Sequence, residues 1–211
     1  MLIVELVAAI FGALSVYFYI VRNHWSWPVG FAQVVLYIAV FAHVKLYADM
    51  LLHVIYAGVQ IYGWHAWLKS RKSNSLPQDL STRERETSSS NQQIVVRKLR
   101  PAGNLLGISI ALSMAGMVAW LLSQFTDAVQ PVPDSAIAGF SLVAQTLLAW
   151  RYLDHWRYWI FVDMVAIVLF TYKELYITAA LYLLFLFMAI WGDRSWRRVW
   201  RESRKTEPAP L

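Results

Sequence analysis

Trp156-Arg157-Tyr158-Trp159-Ile160-Phe161-Val162-Asp163 opens an apolar run that continues from Met164 to Phe170. Read as a helix, it brings positions 156, 159 and 163 round at i, i+3 and i+7, so two indoles and one carboxylate share a face. The carboxylate lies one to two turns inside a segment of lipid-spanning character. Asp at such a place costs about 2.5–3.5 kcal/mol on insertion scales, so it turns toward a bundle interior or a watery cavity and takes a partner. A cation held by Trp156, Trp159 and Asp163 is one such partner, because a desolvated cation–π contact is worth about 2 kcal/mol. The structural alternatives are an interfacial anchor for the indoles, more so for Trp156 than for the deeper Trp159, and a buried hydrogen bond for Asp163.

The 211-residue chain is 58% hydrophobic and only 15% charged. That balance is too apolar for a soluble domain and predicts an integral membrane protein. Seven segments approach the ~20 residues that a hydrocarbon core requires: Leu2 to Val21, Trp27 to Val44, Leu46 to Leu68, Leu105 to Leu122, Asp134 to Trp150, Trp156 to Tyr172 and Leu175 to Trp191. Lys and Arg crowd into the loop after the third segment and into the stretch after Arg194, while the loop from Ser123 to Pro133 has none and carries Asp127. The positive-inside rule then predicts an external amino terminus and a cytoplasmic carboxyl terminus, with Lys45 the one loop cation out of place. No basic residue precedes the first apolar run, so it reads as a retained span and not as a cleaved signal. The basic clusters read as topology signals, with no nucleic-acid partner implied.

The polar, Ser-rich stretch within 69–104 is a linker by composition. It separates two similar parts. A shift of 129 positions carries Phe11 onto Phe140, Arg22 onto Arg151, Trp27 onto Trp156, Phe41 onto Phe170, Leu46-Tyr47 onto Leu175-Tyr176, Gly63 onto Gly192 and Trp67 onto Trp196. The expected architecture is an all-α membrane protein with seven transmembrane helices in a 3+1+3 parallel repeat. Its parts are a first three-helix repeat (1–68), the linker (69–104), a connecting helix and external loop (105–133), a second repeat (134–196) and a basic tail (197–211). Parallel repeats of this kind are a transporter plan, with substrate near the midplane between the halves.

Within the spans, Asp49, His53, Tyr56 and Gln60 form a stripe at i, i+4, i+7 and i+11. Such a stripe faces the bundle interior, as substrate contacts or as interhelical hydrogen bonds worth about 0.6 kcal/mol each. Gln33 and Gln145 are isolated amides in apolar runs and need partners when buried. The substrate-binding candidates are therefore Trp156, Trp159, Asp163, Gln145, Gln60, Tyr56, Asp49 and Gln33. Catalytic chemistry is thinly represented. There is no cysteine, the five histidines have no metal-ligand spacing, and no phosphate-binding glycine loop is present, so no metal and no cofactor is expected. His24, Asp154 and His155 read as loop residues at the cytoplasmic side.

Five segments in order, WSWPVGF (Trp25 to Phe31), KLYADMLL (Lys45 to Leu52), YGWHAW (Tyr62 to Trp67), WRYWIFVD (Trp156 to Asp163) and KELYITAALYLLFL (Lys173 to Leu186), together resemble the Pnu vitamin transporter family. The resemblance is to its nicotinamide riboside carriers above all. It implies a bacterial inner-membrane facilitator with a SWEET-like architecture, assembled as a homotrimer in the lipid bilayer. It also implies uptake of the small-molecule vitamin by alternating access without ion coupling, with intracellular phosphorylation trapping the product. The W-x-x-W pair of that family matches Trp156 and Trp159. Where some members carry Asn, position 163 is Asp, and thiamine, also cationic, is moved by close relatives. The alternatives are therefore thiamine or another cationic vitamin on the same fold, then a membrane-embedded enzyme, then a non-transporting interaction protein.

Overall fold

The computed structural model describes residues 2–43, 47–73, 95–125 and 131–205. The middle of the expected linker (74–94), the loop carrying Asp127, Lys45 and the end of the basic tail lie outside the described residues. The described residues form seven helices, one for each expected span: α1 (Leu2–Ile20), α2 (Ser26–His43), α3 (Tyr47–Ser73), α4 (Pro101–Phe125), α5 (Pro131–Ala149), α6 (His155–Tyr172) and α7 (Tyr176–Lys205). Pro101 and Pro131 open their helices, where a missing N–H costs nothing and a fixed φ is already helical. Helix α7 runs on to Lys205, so much of the basic segment expected as a tail is helical. By length and composition α2, α4, α5 and α7 can each cross a membrane unaided. Helix α3 falls short because of its polar stripe, and α6 because of Arg157 and Asp163.

Helices α1, α2 and α3 pack in sequence, as do α5, α6 and α7, and the two groups meet through α1 against α7 and α3 against α5. Helix α4 lies on α5. Gly139 makes that approach close, since a Cβ there would stand 2.6 Å from the Ala111 carbonyl oxygen.

Helices α1 and α5 stop in the same way. Arg22 and Arg151 take left-handed φ values of 58° and 63°. Behind them Asn23 N–H donates to Phe18 O at 2.8 Å and Tyr152 N–H to Leu147 O at 2.9 Å, which is a Schellman closure without glycine. Left-handed backbone at a non-Gly residue costs about 1–2 kcal/mol, and both arginines recover part of it by reaching across. Arg22 donates to Ser195 Oγ at 3.3 Å, and Arg151 donates to Ser70 Oγ.

A layer of indoles sits beside these turns. Trp67 Nε1 donates to Leu148 O at 3.3 Å and Trp196 Nε1 donates to Tyr19 O at 3.0 Å. Each bond crosses between the helix groups, and 129 positions separate Trp67 from Trp196 and Tyr19 from Leu148 alike. Trp27 meets Trp67 edge-on at 5.5 Å and 78°, as Trp156 meets Trp196 at 6.1 Å and 80°. Trp27 lies over Gly63 and Trp156 over Gly192, where any Cβ would collide with the indole. These four indoles, buried with Tyr19, Ile20, Leu148 and Ala149, are the larger core. A second core of Ala111, Phe140, Val143, Ala144, Leu147, Tyr158 and Val162 joins α4, α5 and α6.

Asp154 and His155 are not the open loop residues that their polarity suggests. Asp154, 1% exposed, accepts from Leu99 N–H at 2.8 Å and Asn104 Nδ2 at 3.3 Å, and pairs with Arg157 at 3.6 Å. The segment before α4 is thereby docked on the α5–α6 turn, with Arg97 bridged to Tyr152 through its backbone. His155 is fully buried between Trp156 and Trp196, its Nδ1 at 2.6 Å from Tyr152 O. Docked backbone and side-chain donors hold Asp154, whereas His155 has only the Tyr152 carbonyl at Nδ1, and its Nε2 lies buried among the rings with no hydrogen-bond partner among the described residues.

Gly192→Ala is expected to lower stability by about 1–3 kcal/mol, the usual cost of overpacking. Gly58→Ala, with nothing within 4 Å of its Cβ position, is expected to be neutral or to stabilise by up to ~1 kcal/mol through helix propensity. Paired melting curves in detergent check both, and equal effects would rule out the indole contact as the reason for glycine at 192.

Candidate functional site

On the inner side of the indole layer three helices converge through one phenol. Tyr19 (α1) donates to Gln60 Oε1 (α3) at 2.9 Å and accepts from Gln145 Nε2 (α5) at 3.4 Å. All three are buried. Gln60 reaches its place because position 30 is glycine, where a Cβ would stand 2.6 Å from the amide nitrogen of Gln60. The ring of Tyr19 is held edge-on by Trp27 at 5.3 Å and by Trp67 at 6.3 Å.

Further along the bundle Tyr56 hydrogen-bonds the side chain of Ser141, tying α3 to α5. His53 stands among the rings of Tyr37 at 5.5 Å, Phe41 at 4.9 Å and Tyr56 at 5.8 Å. Asp163 is 3% exposed, and no described side chain hydrogen-bonds or ion-pairs with its carboxylate. Tyr182 (α7) lies within electrostatic range of Asp163, Tyr37 and Tyr56, so α2, α3, α6 and α7 all contribute to one polar interior. Burying a carboxylate without a partner costs several kcal/mol. The arrangement therefore fits a cationic guest.

The two indoles of α6 divide their tasks. Trp156 is 2% exposed and wedged over Gly192 in the aromatic core. Trp159 is only partly buried and touches both cores, which puts its ring at the seam between them. Gln33 lies against Gly12 of α1, apart from the Tyr19 relay. Asp49 falls in the first turn of α3, with its side chain outside the described residues. Of the eight residues singled out from sequence, Gln60 and Gln145 are joined by hydrogen bonds through Tyr19, and Asp163 and Tyr56 both lie within electrostatic range of Tyr182. Among the described residues no group of three His, Asp or Glu is placed to hold a metal.

Matching positions 129 apart carry different side chains here. Gly30, Val34 and Gln60 of the first group correspond to Trp159, Asp163 and Ala189 of the second. The framework is alike in both groups, but the side chains facing this interior are not.

A family model described as nicotinamide mononucleotide transporter matches residues 2–198. The chain belongs to that family. Membership places it among multi-pass membrane transporters and not among enzymes. It is 25% identical over 209 residues to the nicotinamide riboside transporter PnuC of Escherichia coli (strain K12), covering 94% of this chain and 87% of that one. It is also 24% identical over 205 residues to the riboflavin/roseoflavin transporter RibM of Streptomyces davaonensis, covering 95% and 86%. A crystal structure of the vitamin B3 transporter PnuC has the same fold, with a TM-score of 0.71 at 23% identity over 93% of this chain and 81% of that one.

For this family member sequence reading did not single out Tyr19, Ser141, Tyr37 and Tyr182. Tyr19 sits in the aromatic run Tyr17-Phe18-Tyr19 and has no polar periodicity to mark it. Its counterpart 129 positions on is Leu148, whose carbonyl accepts from Trp67 Nε1, and because the two residue types differ the repeat does not mark Tyr19 either.

Tyr19→Phe is expected to cost about 1–3 kcal/mol, because the Gln60 carbonyl and the Gln145 amide are left buried without their shared partner. Gly30→Ala is expected to lose the same hydrogen bonds by displacing Gln60. Melting of the single variants and of the double variant checks this, and additive losses would mean that Gly30 does not act through the relay.

Proposed function

We propose that this chain takes up nicotinamide riboside by facilitated diffusion across a bacterial inner membrane, with Trp159 and Asp163 holding the cationic pyridinium. The observation that carries the reading is the buried Asp163 carboxylate without a described partner, one turn from a partly buried indole. A guest whose aromatic ring bears the positive charge meets both needs at once, by Coulomb attraction to the carboxylate and by stacking and cation–π contact with the indole. Gln60, Gln145 and Tyr56 supply amide and phenol groups suited to ribose hydroxyls. Trp156 backs Trp159 from the core. Asp49 and Gln33 belong to the proposed lining by position in their helices. The names of the relatives agree with a vitamin-sized heteroaromatic cargo, although riboflavin, unlike nicotinamide riboside, carries no charge.

The transport path in this reading runs between two three-helix repeats, 1–68 and 134–196, of a 3+1+3, SWEET-like bundle. Support comes from the paired Schellman turns, paired indole hydrogen bonds and paired indole–glycine contacts, each 129 positions apart. The halves rock about the central site, the amino terminus lies outside, and three copies assemble. Phosphorylation of the product inside the cell keeps the gradient inward.

Calorimetry on the purified protein with nicotinamide riboside, thiamine and riboflavin tests the substrate and the site together. Saturable binding of the riboside is expected, weakened roughly tenfold or more in Trp159→Ala, the scale of a desolvated cation–π contact. Asp163→Asn, which keeps the shape and removes the charge, is expected to weaken the riboside far more than riboflavin. Binding of thiamine alone would replace the substrate while leaving the cation site. A riboside affinity indifferent to Asp163→Asn would remove the charge argument altogether.

A further inference from the structure

A cavity of about 320 Å³ opens at the basic end of the bundle, at the α3–α5 contact, and is lined by Tyr62, Arg97, Trp150, Arg151 and Tyr152. It lies away from the Asp163 interior and shares none of its residues. Two guanidinium groups and three aromatic rings enclose a space within the size range of small-ligand pockets. Trp150 Nε1 donates to the Tyr62 hydroxyl at 2.9 Å, which fixes two of the rings. Arg97 is held by its backbone, donating to Arg151 O at 2.9 Å and accepting from Leu153 N–H at 2.7 Å. Its side chain is free of that task.

Among the described residues the charges here do not balance. Arg151 donates through one terminal nitrogen to Ser70, but its Nε is buried with no acceptor among the described residues. Its charged neighbour is Arg97, another cation, and burial together with that neighbour holds the Arg151 guanidinium below its usual range. The acid of the same turn, Asp154, is committed to Leu99, Asn104 and Arg157. The corresponding arginine 129 positions earlier is provided for differently. Arg22 donates to Ser195 Oγ at 3.3 Å and to Ile20 O at 3.5 Å, and has Glu202 in electrostatic range. One side of the bundle supplies its own acid. On the other a second arginine stands beside the first and the cavity lies open.

We propose that this cavity is a second ligand site that binds a phosphate group, with the guanidinium groups of Arg97 and Arg151 as the donors and the Tyr62–Trp150 pair beside the body that carries the phosphate. Arginine presents its N–H groups in a planar fork that matches phosphate oxygens, and aromatic walls suit an attached ring or acyl glycerol. The phosphate arrives on a soluble nucleotide or on the headgroup of an anionic lipid, and both satisfy the same donors. Because α3 and α5 come from different three-helix groups, an occupied site ties the groups together at this end.

The test uses the full-length protein in nanodiscs. In discs of phosphatidylcholine, adenosine monophosphate and inorganic phosphate are titrated against sodium chloride at matched ionic strength. In a second arm, retention of phosphatidylglycerol is read by native mass spectrometry. Arg97→Gln is expected to weaken binding in one of the two arms by roughly ten- to a hundredfold, as for loss of charge-assisted hydrogen bonds. Arg201→Gln, an exposed cation of α7, is expected to stay within about twofold of the unaltered protein, since rim charges contribute little. An effect on the nucleotide assigns the soluble source, and an effect on phosphatidylglycerol assigns the lipid. Hydrogen exchange on the unaltered protein guards against misfolding of the variant, with protection by the bound probe expected at 95–97 and 149–152. Equal behaviour of Arg97→Gln and Arg201→Gln in both arms, or protection confined to other segments, would overturn the proposal.

Discussion

The exchange of indole hydrogen bonds between the two helix groups is the constraint on which the rest of the bundle depends. Trp67 and Trp196 each spend their single donor on a last-turn carbonyl of the opposite group. Each of those carbonyls also accepts from the N–H of the left-handed arginine that ends its helix, Arg22 to Tyr19 O at 3.1 Å and Arg151 to Leu148 O at 2.9 Å, and takes the indole on its second lone pair. The edge-on neighbours of these indoles, Trp27 and Trp156, pack against the bundle because Gly63 and Gly192 lack the Cβ that would collide with those rings. Turn, carbonyl, indole and glycine thus form one mechanical unit, repeated once. In a membrane, where lipid tails give no hydrophobic drive to helix association, such packing and hydrogen bonding are the available sources of cohesion.

Upon this common framework the polar interior is built unequally. Gly30 admits Gln60 toward Tyr19, whereas the corresponding Trp159 stands opposite a position occupied by Ala189. Val34 corresponds to Asp163. A small residue facing an amide on one side is exchanged for an indole facing a small residue on the other, so volume is conserved while chemistry is divided. One side offers hydrogen bonds and the other offers charge and a ring face. In the proposed uptake of nicotinamide riboside, that division assigns the sugar to one side and the charged ring to the other.

The docked segment before α4 gives the basic end its own organisation. Asp154 could cap α6 in the ordinary way, yet it makes no side-chain cap bond and binds Leu99 and Asn104 instead. It thus spends a buried carboxylate on holding a connecting segment in place. The segment brings Arg97 beside Arg151, and both line the cavity.

Length, apolar content and the spacing of spans determined seven helices and nine of their fourteen limits to within one residue, because a bilayer admits few ways to satisfy a backbone, whereas α3, α4, α5 and α7 run on past the apolar segments. The recurrence of Arg, Trp and Gly 129 positions apart marked the residues that became the paired turns and indole contacts, since close packing tolerates only those side chains there. The polar stripe of α3 and the face of α6 were legible by period alone. What the sequence could not decide was which polar groups meet. Tyr19 looks like one aromatic among several until its hydroxyl meets Gln60 of α3 and Gln145 of α5. Asp154 and His155 look solvated until the segment at 95–100 and Trp196 close over them. Partners in these cases are separated by tens to more than a hundred residues, and hydrogen bonding at that range is set by how the helices pack and not by any local pattern.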